Sequence, residues 1–144
     1  MSTTKRVSTA PAVPKPPTSL APSIAISDTA SLIGSKLITI QSDTIIHPRA
    51  KLISTHAPVT IGSACILSER STLGLQAPST SQPEGVIIED YVVLEVGAVV
   101  EAKRVGEGSI IEINATVGKG AVIGKVGLSR CGSVYKLTHS VVAL

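Results

Sequence analysis

Phenylalanine and tryptophan are missing from this chain of 144 residues, and Tyr91 and Tyr135 are its only aromatic side chains. Hydrophobic residues still make up 43% of it, so the apolar content is carried by aliphatics. A wide globular core normally uses aromatic rings to fill its volume. A narrow interior lined by Ile, Leu and Val has no space for them. Also lacking is an apolar run of the roughly 18 residues that suggests a transmembrane helix, so no membrane span is expected. The N-terminal residues have no apolar stretch of the kind a secretory signal carries. Pro11, Pro14, Pro16, Pro17 and Pro22 would break the amphipathic helix of a mitochondrial presequence. The cytoplasm is therefore the expected location.

Acidic residues are absent from both ends. Residues 1–23 contain Lys5, Arg6 and Lys15, and residues 125–144 contain Lys125, Arg130 and Lys136, with no Asp or Glu in either segment. The stretch between holds seven basic and ten acidic residues, so the net charge of +3 belongs to the ends. A nucleic-acid binder should instead show a basic face interleaved with stacking aromatics. No nucleic-acid partner is expected.

What is present is a beat of six. Ile88, Leu94 and Val100 are six residues apart; after a five-residue step to Val105, the beat resumes at Ile111, Val117 and Ile123. Small residues stand two places before several of these aliphatics, at Ala98, Ser109, Ala115 and Ala121. Six is neither the 3.6 of a helix nor the two of an ordinary strand. It fits a β-helix, in which three short strands and three corners complete a coil of roughly 18 residues. The same pattern, less regular, runs through Ile26, Leu32, Ile40, Ile46, Leu52, Ile61 and Leu67, with surplus residues expected as corner loops at Lys36–Thr39 and Ser54–Thr60. Ala30, Thr44, Ala50 and Cys65 hold the small position in this half. That place makes a buried free thiol, and not a disulfide to Cys131, the expectation for Cys65.

The organisation follows. Residues 1–23 read as a disordered, Pro-rich arm. Residues 24–127 read as an all-β, parallel β-helix of about five coils built from hexapeptide repeats. Residues 74–85, Gly-Leu-Gln-Ala-Pro-Ser-Thr-Ser-Gln-Pro-Glu-Gly, carry turn chemistry and no beat, and are expected as an excursion from one corner. Residues 128–144 show no clear period and read as an atypical tail. Solenoid ends expose unpaired strand edges, which call for caps or partners.

Catalysis finds little support in the residues. A zinc site would need three converging imidazoles; His47 sits at a corner, His56 in an irregular insertion and His139 in the tail. An acyltransferase of hexapeptide type would need a histidine base in a cleft between prisms, and His47 next to Pro48 is more simply a solvated corner residue. Glu95, Glu101 and Glu112 each follow an inward aliphatic, where a short polar or acidic residue solvates the corner. Gly106-Glu107-Gly108 and Gly118-Lys119-Gly120 do not lie between a strand and a helix, as a phosphate-binding loop would. No catalytic residue, metal or cofactor is expected. An enzyme of the gamma-carbonic-anhydrase or acyltransferase kind is the alternative function.

Several stretches carry a resemblance. Ile38-Thr39-Ile40, Thr44-Ile45-Ile46-His47-Pro48-Arg49-Ala50-Lys51-Leu52-Ile53 and Pro58-Val59-Thr60-Ile61-Gly62 resemble the dynactin subunit 6 family. So do Leu94-Glu95-Val96-Gly97, Ile111-Glu112 and Ala115-Thr116-Val117-Gly118, and the excursion falls where that family interrupts its coils. The resemblance covers about residues 24–124, and Ile-His-Pro-Arg-Ala-Lys is its most specific piece. It implies a left-handed hand for the β-helix and a non-enzymatic role in the pointed-end complex of dynactin, the activator of cytoplasmic dynein in microtubule-based transport. It further implies dynactin subunit 5 and other pointed-end or actin-related subunits as partners, and a place on the cytoskeleton. The chain departs from the family in its long Pro-rich arm and in ending without the further coil and C-terminal helix. Arg49, Lys51, Lys103 and Arg104 lie between inward positions, and Glu95 and Glu112 lie at corners; these six are the candidate partner-binding residues.

Overall fold

The computed structural model describes residues 15–78 and 85–125, together with the backbone of residues 128–129, 134–135 and 140–141. Among the described residues there is no helix. Short strands form three parallel sheets of seven, six and six strands. Each strand pairs with the one a full coil away, and the result is a β-solenoid of about five turns. The first face holds Thr18–Leu20, Ile38–Ile40, Val59–Ile61, Val86–Ile88, Arg104–Val105 and Val122–Ile123. The second holds Ala25–Ile26, Ile45–Ile46, Ile66–Leu67, Val93–Leu94 and Ile110–Ile111. The third holds Ser31–Gly34, Lys51–Ser54, Thr72–Leu73, Val99–Val100 and Thr116–Val117.

The register explains the six-residue beat. Along the first face Ile40, Ile61, Ile88, Val105 and Ile123 are successive partners. Ile26, Ile46, Leu67, Leu94 and Ile111 stack along the second, and Leu32, Leu52, Leu73, Val100 and Val117 along the third. All of these are buried except Ile26 and Leu32, which pack half-buried at the first coil. Strand side chains alternate, so one aliphatic per two-residue strand points inward. Removing such a stack from water is the main favourable term in the fold.

The first face departs from the simple pattern. Four of its strands have three residues, and in three of them both ends point inward: Ile38 and Ile40, Val59 and Ile61, Val86 and Ile88 are buried, whereas Thr18–Leu20 is exposed. The corner loops expected at Lys36–Thr39 and Ser54–Thr60 are correspondingly shorter, because Ile38, Thr39, Val59 and Thr60 belong to strands. Leu73 fills the interior six residues after Leu67, and Leu75 is buried just beyond it. The excursion therefore leaves from a packed root, and the Gln76 N–H donates to the Glu101 carboxylate at 3.3 Å. Its residues 79–84 lie outside the described residues.

Small inward residues do more than relieve crowding. At the corner between the first and second faces, the Thr44 hydroxyl donates to the Gly62 carbonyl at 2.8 Å. The Cys65 thiol donates to the Glu89 carbonyl at 3.0 Å, and the Ser109 hydroxyl to the Gly124 carbonyl at 3.0 Å. These buried side chains satisfy backbone carbonyls of the next coil, which would otherwise be costly. Cys65 is a free, buried thiol, as expected; burial raises its pKa, so it stays protonated as a donor.

Thr18–Leu20 pairs with Ile38–Ile40 inside the segment expected as an arm, whose residues 1–14 lie outside the described residues. In the segment expected as a tail, the backbone of Leu128–Ser129, Val134–Tyr135 and Ser140–Val141 pairs in parallel with the second, third and first faces.

Candidate functional site

The corner between the second and third faces is built from repeated four-residue turns. The Ala50 N–H returns to the His47 carbonyl at 3.3 Å, and the Ser71 N–H to the Ser68 carbonyl at 3.2 Å. In each the third residue has positive φ: Arg49 at 61° and Arg70 at 59°. This is the conformation that a type II turn demands at that position, normally met by Gly or Asn, with Pro favoured just before it. Pro48 precedes Arg49, and the equivalent residues two and three coils further on are Gly97 and Asn114. The Arg70 N–H bonds the Pro48 carbonyl at 3.4 Å, so the two arginines are held on adjacent rungs of one corner.

Beside them runs the outward column of the third face, where Ser31 pairs with Lys51 and Lys51 with Thr72. Arg49, Lys51, Arg70, Thr29, Ser31 and Thr72 together line an open cleft of about 470 Å³. Glu69 is the nearby carboxylate, 3.7 Å from Arg49 and 3.9 Å from Arg70. The cleft presents several N–H and O–H donors and an excess of positive charge.

The six candidate residues divide. Arg49 and Lys51 meet in this cleft; Arg70 completes it and was missing from the candidates. Its outward place was legible, since Arg70 stands three residues after inward Leu67 as Arg49 stands three after inward Ile46, but its place one rung from Arg49 follows from the length of the coil between them. Glu95 begins a later turn of the same corner, and its Oε2 accepts the Ile113 N–H of the next coil at 3.1 Å. Glu112 is its register neighbour one coil on, following Ile111 as Glu95 follows Leu94. Lys103 and Arg104 belong elsewhere, at the entrance to the first face. Arg104 Nε donates to Glu89 Oε1 at 2.7 Å.

A second hollow, about 350 Å³, adjoins the first face and is lined by Gln41, Thr60, Glu89, Asp90, Glu107 and Lys125 among others. Its charges engage one another. Glu89 binds Arg104, Lys125 lies 3.5 Å from Glu107, and Asp90 Oδ1 accepts the Ser63 N–H at 2.8 Å. The Arg104 guanidinium, then the Glu107 N–H, hold the Glu89 carboxyl below its ordinary range.

Exposed aliphatics occur on the first face and its entrance, at Leu20, Leu37 and Ile87, but the unbroken apolar column lies on the second face. Its outward column reads Ala25, Ile45, Ile66, Val93 and Ile110, with no charged residue in it. Ile45 and Ile110 are exposed, as are Val96 and Ile113 at the adjoining corner and Tyr91 at the other. Among the described residues no group of three or more His, Cys, Asp or Glu is placed to hold a metal ion. His47 is exposed and His56 half-buried, while His139 lies outside the described residues. No helix among the described residues is long and apolar enough to cross a membrane.

No protein-family model matches the chain. It is similar to dynactin subunit 6 of Danio rerio, 29% identical over 93 residues, which is 60% of this chain and 48% of that protein. Dynactin subunit 6 of Nematostella vectensis is 31% identical over 92 residues, 60% of this chain and 50% of that protein. The Xenopus tropicalis protein is 28% identical over 92 residues, covering 60% and 46% respectively. The chain thus spans about half the length of the curated relatives it matches. These relatives carry the name of the family that the sequence resembles.

Proposed function

We propose that this chain, a relative of the dynactin subunit 6 family, is a non-catalytic scaffold subunit that binds other proteins in a dynactin-type pointed-end complex. In that role it supports dynein-driven transport along microtubules from the cytoplasm. The observation that carries the reading is the second face. Five successive rungs present Ala25, Ile45, Ile66, Val93 and Ile110 outward, and exposed Val96 and Ile113 extend this surface around the corner. Contiguous exposed apolar surface on a soluble fold marks a binding face, and a flat solenoid wall suits side-by-side docking with another β-helix such as dynactin subunit 5. The basic cleft adjoining that corner adds charge for steering and register.

Co-purification of the full chain from cytosol, with mass spectrometry of what it retains, tests the reading. Dynactin subunits should be recovered. Reversing Arg49 and Lys51 to Glu should reduce their recovery, because like charges then meet at the contact. The fold, followed by circular dichroism, should persist, since exposed charges contribute little to stability. A homo-oligomer that retains zinc and no dynactin subunit would overturn the scaffold in favour of an enzyme. Undiminished recovery with an intact fold would remove Arg49 and Lys51 from the interface.

A further inference from the structure

We propose that the cleft between the second and third faces is a phosphate-binding site, and that it takes a phosphorylated side chain of a partner protein. The identity of the carrier rests on the scaffold reading above; the chemistry of the cleft does not. Three cations, Arg49, Lys51 and Arg70, line one hollow together with Ser31, Thr72 and Thr29, whose hydroxyl also meets that of Ser27 at 3.2 Å. The carboxylate beside them, Glu69, stands 3.7 and 3.9 Å from the two guanidinium groups. Those separations exceed an ordinary charged hydrogen bond, so both forks keep donors for a ligand. Among the described residues no carboxylate forms an ion pair with Lys51.

Charge and geometry point to the same group. Three cations and one carboxylate leave two positive charges, which matches the roughly −1.5 to −2 of a phosphorylated side chain near neutral pH. The Ser31, Lys51 and Thr72 column places hydroxyl, ammonium and hydroxyl on successive rungs, about 4.8 Å apart. Arg49 and Arg70 repeat at the same rung spacing along the corner next to it. A phosphate has three terminal oxygens, each able to accept more than one hydrogen bond, and can engage donors from two rungs at once. A single carboxylate offers two oxygens and half the charge.

The cluster is local, not a property of the repeat. Further along the corner the Arg49 position is taken by Gly97 and Asn114, and the outward partners beyond Thr72 are Val99 and Thr116. A hollow of about 470 Å³ is also larger than a lone phosphate requires. It lies in the size range of clefts that hold small organic ligands, which leaves space for the chain carrying the phosphate.

Nuclear magnetic resonance on the ¹⁵N-labelled full chain, at constant ionic strength, tests this. The probes are inorganic phosphate, a capped Ala-phosphoserine-Ala peptide, its unphosphorylated form and a capped Ala-Glu-Ala peptide. Saturable shifts of the Arg49, Lys51, Arg70 and Thr72 amides are expected with the two phosphates and not with the other two peptides. A chain with Lys51→Gln and Arg70→Gln should bind the phosphopeptide at least about tenfold more weakly, as loss of charged hydrogen bonds implies. Lys119→Gln, at another corner, should bind it normally. Absence of saturation, or equal shifts from the Glu peptide, overturns the proposal. Binding of inorganic phosphate without the phosphopeptide overturns the partner-borne source in favour of the free ion. Phosphopeptide binding by a chain that captures no dynactin subunit overturns the scaffold reading and supports the cleft. Capture of those subunits by a chain that binds no phosphate does the reverse.

Discussion

Glu89 and Arg104 join adjacent coils on the first face: Arg104 Nε donates to Glu89 Oε1 at 2.7 Å, while Glu89 Oε2 accepts the Glu107 N–H at 2.8 Å. Both interactions favour the ionised carboxylate, which is why its pKa is lowered, first by Arg104 and then by the Glu107 backbone. A carboxyl with a depressed folded-state pKa binds its proton more readily in the unfolded chain. Its contribution to stability is therefore complete above the ordinary carboxylate pKa and is lost as pH falls through the folded value. Glu89→Gln should melt below wild type at neutral pH, and the two melting curves should converge as the solution is acidified below the ordinary carboxylate range. A difference in Tm that stays constant with pH would refute the linkage.

Val117 is fully buried in the third-face stack, in register with Val100. Val117→Asp would place an unpaired carboxylate among aliphatics, and should destabilise by roughly 3 kcal/mol or more or prevent folding. Thermal melting checks it; a curve identical to wild type would mean that the side chain does not point inward.

Gly74 directly follows the third-face strand Thr72–Leu73 and begins the excursion. Its φ is +122°, and a Cβ there would lie 2.0 Å from the Ile53 carbonyl oxygen. Gly74→Ala is expected to destabilise by about 1–3 kcal/mol, from backbone strain and displacement of the neighbouring strand. Denaturant titration measures this. Since Leu75 is buried as well, shortening the excursion should be tolerated only when the cut begins after it.

The aliphatic beat and the small residues two places ahead of it are enough to reveal the solenoid, because one inward side chain per two-residue strand is all that such a narrow interior admits. Ile111, Val117 and Ile123 stand where that logic puts them. Cys65 was legible as a buried thiol, but its bond to the Glu89 carbonyl was not, since which carbonyl needs a donor depends on how the next coil turns. Ile38, Val59 and Val86 were missed as inward residues because a three-residue strand places a second aliphatic inside without disturbing the six-residue beat.

The candidate site divides along the same line. Arg49 and Lys51 were legible as outward residues from their places between inward aliphatics. Arg70, twenty-one positions beyond Arg49, joins them only because a full coil brings the chain back one rung away. Lys103 and Arg104, grouped with them by charge and outward placement, lie on a different side of the prism, where Arg104 serves Glu89. Sequence periodicity by itself determined the inward residues that fall on the six-residue beat, since strand alternation is local. Which outward side chains share a corner was decided by tertiary structure alone, because the length of each intervening coil sets the register.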